Sequence, residues 1–257
     1  MSTNKTIIVI IGGGWHTAES YAKLTRALEA AGHEVHCPQY PSMNQERPPT
    51  ASLAEDSTFI RTYVENLVDF GHQVVPLMHC YGSQIGSNCL YGLGLQNRSG
   101  KGLSGVITEM IYLAGYVLPE DLRMIDKVNE MRDEGLMPVT FDFAADLMVF
   151  LRYPKEQLVG SGGEVSDNEA SDFMATLKLW NGRCIYDATS HAAWREIPVT
   201  YVYTMEDLFV PLNYQQSMVK VVEAQGIKVK THELATGHCP GLTAADEIVE
   251  IVNKVVG

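Results

Sequence analysis

Apolar positions in the first half of the chain switch between two periods. Thr6–Ile11 (TIIVII) is an unbroken apolar run, the pattern of a strand covered on both faces. After three glycines, Leu24, Ala27, Leu28 and Ala31 recur at i, i+3, i+4 and i+7, a helix stripe that Gly32 ends. His33–Cys37 predicts a short second strand closed by Pro38. Ile60, Tyr63, Val64, Leu67 and Val68 form a second stripe, running to about Gly71. Gln73–Met78 predicts a third strand, a helix begins near Gly82, and Val106–Leu113 predicts a fourth strand. Strands and helices in this alternation predict a parallel sheet with helices on both faces.

From about Pro119 to Trp194 the rhythm lapses. The segments MIDKVNEM, FDFAADLMVFL and ASDFMATLKLW read as helical material, broken by Pro138, Pro154 and the loop GSGGE. After Pro198 the alternation returns, with VTYVYT as a strand, a helix after Pro211 and VKTHEL as a strand. Ile248, Ile251, Val252 and Val255 stripe a closing helix, for which Thr243 is the expected N-cap with Asp246 three residues on. The expectation is one α/β domain over residues 1–257 with a helical cap inserted at 118–195.

Composition narrows the functions such a domain can have. Hydrophobic residues at 46% and charged residues at 19% of 257 describe a chain that can bury a large core. A net charge of -12 argues against a nucleic-acid or anionic-membrane partner, either of which calls for a basic surface. The run Ile7–Ile11 is too short for an export signal, and no window approaches a membrane span. Cys37, Cys80, Cys89, Cys184 and Cys239 are odd in number and scattered, so they read as reduced thiols of a cytoplasmic protein. His36–Cys37, His79–Cys80 and His238–Cys239 are adjacent pairs, and adjacent side chains in extended backbone point apart. With no C-x-x-C or H-x-x-x-H spacing, neither a metal nor another cofactor is expected.

Reactive groups of a parallel sheet collect at the carboxyl ends of its strands. Met78-His79-Cys80-Tyr81-Gly82 has the strand–turn–helix context of a nucleophile elbow, G-x-S-x-G. Met78 stands in the place of the first glycine and Cys80 in that of the serine, while Gly82 keeps the turn tight. A cysteine at the head of a helix gains from the positive end of the dipole, which favours thiolate. Asp207 in YTMEDLFVP and His238 in LATGHCPG follow later strands, in the order nucleophile, acid, histidine. In that arrangement His238 draws the proton from Cys80 and Asp207 orients the imidazole. Each residue has a plainer reading: Cys80 as packing, Asp207 as a helix cap and His238 as a turn residue. Glu206 is the rival for the acid. Three candidates at three strand ends in this order favour the catalytic reading.

These motifs carry a resemblance over nearly the whole chain. GGGWHTAESYAKLTRALEAAGHEVHCPQYPS, VVPLMHCYGS, HAAWREIPVTYVYTMEDLFVP and ATGHCPGLTAADEI resemble the α/β-hydrolase fold's small esterase group, with plant methylesterases, hydroxynitrile lyases and fungal hydrolases. The resemblance implies an oxyanion hole made by the backbone N–H groups of Gly14 and Tyr81. The chain departs from the group's pattern at Cys80 for serine, at Gly12 for histidine and at Ser83 for the second small residue. Hydroxynitrile lyases of the group carry a threonine and a lysine where this chain has Gly13 and Cys239, so cyanohydrin cleavage is disfavoured.

The expected activity is a Cys–His–Asp enzyme acting on an ester, lactone or thioester through a covalent thioester. Its expected partner is a small apolar acyl substrate, free or on an acyl carrier, with Trp15 and His16 lining the acyl site. Met124, Met131, Met137, Phe141, Phe143, Met148 and Phe150 supply the cap with either its core or an apolar pocket. Ser83, Ser87 and Thr17 read as capping or packing hydroxyls, Trp194 as structural, and Cys239 as a neighbour without a chemical role. Acyl transfer, such as release of a polyketide-like chain by lactonisation, shares the acylation half. A ligand receptor and a lyase or isomerase using His238 as acid and base are the other readings.

Overall fold

The computed structural model describes residues 6–160 and 165–257, so most of the expected GSGGE loop lies outside the described residues. The strands are β1 (Ile7–Ile11), β2 (Glu34–His36), β3 (Gln73–His79), β4 (Val106–Ile107) and β5 (Met110–Leu113). They continue as β6 (Phe141–Phe143), β7 (Met148–Leu151), β8 (Trp180–Asn181), β9 (Val199–Thr204) and β10 (Val229–Leu234). The main sheet runs β10-β9-β5-β3-β1-β2, with β4 also on β3, and its strands pair in parallel. The expected α/β architecture is therefore present.

The unbroken apolar runs have a direct structural cause. Ile7, Val9 and Ile11 of β1 pack with Ile60 and Val64 of the helix Leu53–Asp69. Ile8 and Ile10 point the other way, onto Leu24 and Leu28 of the helix Ala22–Ala30 and Ile248 and Val252 of the helix Ala245–Val256. β3 divides in the same way, with Val74 and Met78 on one face and Val75 and Leu77 on the other. Both faces are dry, so both sets of alternate residues must be apolar.

Two expectations change in detail. Val106–Leu113 is not one strand, because Thr108 and Glu109 interrupt it. The buried Glu109 carboxylate accepts hydrogen bonds from Thr200 Oγ1 and, at 2.7 Å, from Lys230 Nζ. Thr243 does not cap the last helix; its hydroxyl bonds Thr236 and the Cys239 carbonyl, and the helix starts at Ala245.

The cap region also departs from an all-helical reading, since FDFAADLMVFL is a hairpin rather than a helix. β6 and β7 pair antiparallel, and β8 joins β7 to complete a three-stranded sheet. Leu147 takes a left-handed φ of 70°, and Asp146 accepts the Met148 N–H at 3.2 Å, so the AADL tetrad turns the chain. Arg47 Nε and Nη2 then hold both Asp146 oxygens, at 2.7 and 2.9 Å. The helices Met124–Met131 and Asp167–Thr176 form in or overlapping the segments MIDKVNEM and ASDFMATLKLW read as helical.

Candidate active site

β3 ends at His79, and the next residue opens the helix Tyr81–Cys89. Cys80 between them has φ 51° and ψ −120°, a conformation that non-glycine residues avoid and that persists only where surroundings impose it. They do so through the Cys80 N–H on the Leu113 carbonyl at 3.2 Å, and the Cys80 carbonyl receiving Ser83 N at 3.1 Å. A Cβ at Gly82 would overlap the Ile11 and Gly12 carbonyl oxygens, so the helix can approach β1 only as glycine. Met78, in the place of the usual first glycine, is accommodated one helical turn on, where a Cβ at Gly86 would collide with its sulfur. Ser83 donates to the Met78 carbonyl at 2.9 Å and Ser87 bonds the Tyr112 hydroxyl, both in the packing role expected of them.

The loops after β9 and β10 bring Asp207 to His238. His238 Nδ1 donates to Asp207 Oδ2 at 2.8 Å, and neither side chain is accessible to solvent. Thr204 Oγ1 donates to the same oxygen at 2.8 Å, and the Phe209 and Val210 N–H groups each reach Asp207 Oδ1 at 2.8 Å. Buried Gln215 ties this loop to β9 through Val210, Thr204 and Asp207. Glu206, the rival acid, is exposed.

Burial alone would push the His238 imidazole down, but the charges of Asp207 and Cys80 outweigh it and lift it to about 10. No conventional hydrogen bond occupies His238 Nε2, which is buried and unpaired. Nε2 keeps its hydrogen-bonding capacity for a reacting group.

Behind the elbow lies a closed polar network that no local pattern announces. Tyr21 Oη accepts the Gly13 N–H and donates to His79 Nδ1, each at 2.8 Å. His79 Nε2–H in turn reaches the His238 carbonyl at 2.8 Å. One tyrosine and one histidine therefore join the glycine strand to the loop of His238. The Tyr21 ring also fills the space a side chain at Gly12 would need. On the other side, Tyr40 Oη donates to the Gly12 and Gly13 carbonyls, at 2.9 and 2.5 Å. In a trans peptide the Gly14 N–H points opposite the Gly13 carbonyl, hence away from Tyr40. Neither this N–H nor that of Tyr81 is taken up by another group among the described residues.

His16 belongs to this network and not to the substrate cleft, which corrects its expected place beside Trp15. It is 3% exposed, with Nδ1–H on the Gly14 carbonyl at 2.6 Å and Nε2 facing the Cys239 thiol at 3.3 Å. Burial, and then the nearby His238 charge, lower His16 to about 4 despite the Gly14 bond. Burial likewise holds His79 well below the usual histidine range, with His238 and His16 adding to the effect. Of three histidines packed together, His238 alone has a carboxylate and keeps the charge.

In front of Cys80 opens a cleft of about 710 Å³ of empty space, counted out to its mouth. Trp15, Met124, Met137, Phe141 and Phe209 line it, so part of the cap's apolar set faces the cleft as expected. Met148 is instead buried core, and Phe150 is 47% exposed. Trp15 stacks on Phe141 with centroids 5.9 Å apart, and its indole N–H is tied to the Val149 carbonyl at 2.9 Å. Trp180, Tyr116 and Phe209 are cleft residues that the sequence reading missed. Phe209 follows Asp207 by two positions, and Tyr116 lies three past the end of β5, so strand-end position was the available signal. Trp194 is structural, fully buried with its N–H on the Leu118 carbonyl at 3.0 Å. Among the described residues no cluster of three His, Cys, Asp or Glu side chains could hold a metal ion, and no helix is long and apolar enough to cross a membrane.

A parallel sheet with a strained strand–helix elbow, a buried acid–histidine pair and a capped cleft defines a hydrolase of the α/β-hydrolase fold. The chain belongs to the alpha/beta hydrolase family, whose model matches residues 8–251. It is 26% identical over 262 aligned positions to the alpha/beta hydrolase nvfD of Aspergillus novofumigatus, covering 98% of this chain and 97% of that one. It is 23% identical over 257 positions to the probable hydrolase R7 of a Phoma species, covering 98% and 99%. Among solved structures, polyneuridine aldehyde esterase superposes with a TM-score of 0.77 at 16% identity, over 98% of this chain and 100% of that one. A pyrethroid hydrolase of Sphingobium faniae JZ-2 gives 0.73 at 16% identity, over 98% and 97%.

Proposed function

We propose that this hydrolase cleaves an ester, lactone or thioester with Cys80 as nucleophile, His238 as its proton partner and Asp207 as the orienting acid. The observation that carries this reading is the strained Cys80 at the elbow, with a buried His238–Asp207 pair acting on it and leaving Nε2 unpaired. The raised proton affinity of His238 equips it to take the thiol proton as Cys80 attacks. Thiolate attack on the acyl carbon then forms a tetrahedral oxyanion, to which the Gly14 and Tyr81 N–H groups donate. As the carbonyl re-forms, the alcohol or thiol departs with the proton from His238, leaving a thioester on Cys80. His238, now neutral, draws a proton from water as it attacks, and the acid leaves as Cys80 regains its starting state.

The cleft's apolar lining supports a second acceptor besides water. An alcohol or amine attacking the same thioester gives acyl transfer, and an internal hydroxyl gives a lactone. The substrate is accordingly a largely apolar acyl compound, presented free or on a carrier. The test is turnover of a panel of activated esters and thioesters, with and without added alcohol, by the wild type and Cys80→Ala. Turnover that requires Cys80 supports the reading, and a new ester formed in the presence of alcohol assigns acyl transfer. Equal turnover by Cys80→Ala removes the cysteine from the mechanism.

A further inference from the structure

The cleft lining is mostly apolar, joined by Thr140, Tyr116 and Trp180, whose indole N–H has no partner among the described residues. Asp133 is the sole charged side chain lining it among the described residues. It stands in the turn after the helix Met124–Met131, where Arg132 takes a left-handed φ of 64° and Asp133 N returns to the Val128 carbonyl. The next short helix begins with Glu134, and Asp133 occupies its N-cap position, yet its carboxylate makes no cap bond. An aspartate there ordinarily bonds the first free N–H groups. Here the side chain meets Tyr214 across the cleft wall instead, Oδ2 accepting the Tyr214 hydroxyl at 2.8 Å. Tyr214 is 4% exposed, and burial, with Asp133 beside it, pushes its phenol up, so it stays a donor. The bond orients the carboxylate and occupies one oxygen. Asp133 enters no ion pair among the described residues, so its charge is not cancelled by a cation of this chain.

We propose that the Asp133–Tyr214 pair selects an acyl substrate whose body carries a hydrogen-bond donor, hydroxyl or ammonium, and rejects one bearing a carboxylate. The inference rests on this cleft being the acyl site of the enzyme proposed above. A carboxylate without an ion-pair partner beside an apolar wall attracts a donor, and a cationic donor most strongly. It repels a second anion for the same reason. Asp133 is the one charged group along this lining among the described residues, so this pair is where a charged group on the substrate is read.

The test uses ligands that cannot be hydrolysed, so that recognition is read apart from catalysis. Medium-chain methyl ketones of several lengths, ending in methyl, hydroxyl, ammonium or carboxylate, are titrated against the tryptophan fluorescence of wild type and Asp133→Asn. At the best length the ammonium ketone binds the wild type about tenfold tighter than the methyl ketone, and the carboxylate about tenfold weaker. Asp133→Asn abolishes both charge effects. The hydroxyl ketone keeps a few-fold advantage there, because the amide oxygen still accepts. Four end groups binding the wild type within about twofold, or a ranking unchanged in Asp133→Asn, overturns the proposal. Ester turnover is measured on the same preparations: its absence with the ranking intact counts against the Cys80 mechanism alone.

Discussion

Cys80 stands between two environments built in opposite ways. Behind it, Tyr21, His79, His16 and Tyr40 are buried polar groups with their hydrogen bonds made, each to backbone of the glycine strand or of the His238 loop. In front, Trp15, Phe141, Phe209 and Met137 offer apolar surface; of the polar groups there, Trp180 Nε1 has no partner among the described residues and the Asp133 carboxylate is held by the Tyr214 hydroxyl alone. A buried polar network tolerates one arrangement, since each broken bond leaves an orphan in low dielectric. An apolar wall tolerates several. The reacting geometry is therefore set from behind, and the substrate is chosen from the front.

The sharpest way to break this division is at the boundary itself. Cys80→Ala and His238→Ala lower kcat/KM for an activated ester by about 10³-fold or more, measured by steady-state kinetics. Next comes the back wall. Tyr21→Phe leaves the Gly13 N–H and His79 Nδ1 without partners, and destabilises the fold by about 2–3 kcal/mol in denaturant titration. It lowers kcat by about tenfold with KM nearly unchanged, because the glycine peptide shifts while the cleft does not.

Proton linkage sharpens the comparison further. His16, lowered to about 4 by burial, must stay neutral in the fold. Its contribution to stability is full above the unfolded value near 6.5 and is lost as pH falls toward 4, about 3 kcal/mol in all. Asp56, buried beneath Tyr81 and accepting Tyr81 Oη at 2.8 Å, is raised by burial to about 6 and has the opposite sign. Its contribution is full below the unfolded value near 3.8 and is lost as pH rises through 6, about 3 kcal/mol as an order of magnitude. The two nearly offset each other in the wild type. Asp56→Asn removes one of them, so unfolding curves from pH 7 to 4 fall more steeply in the variant, by about 3 kcal/mol. A parallel pH dependence in both proteins contradicts the assignment. The smallest effect belongs to the front wall: Phe141→Leu raises KM a few-fold and changes stability by under about 1.5 kcal/mol, read by kinetics and melting together.

The same division explains which features were legible in the sequence. The elbow, Asp207 and His238 stand at strand ends, and strand ends follow from periodicity. Double-sided burial of β1 and β3 made their strands readable from composition alone. The back network was not legible, because Tyr21 meets His79 across 58 positions and no local spacing encodes that contact. His16 was misplaced for the same reason: adjacency to Trp15 in sequence says nothing about which side of a turn each occupies. In the cap, FDFAADLMVFL carries apolar residues that fit either period, and the Asp146 turn held by Arg47, 99 positions away, decides for a hairpin.

Intact-protein mass spectrometry after brief exposure to an activated thioester tests the central claim most directly. The account predicts one acyl mass added to the wild type, none on Cys80→Ala, and a longer-lived adduct on His238→Ala if it acylates at all. An adduct of equal yield on Cys80→Ala, or turnover by the wild type without any acyl-enzyme under single-turnover trapping, contradicts Cys80 as the nucleophile.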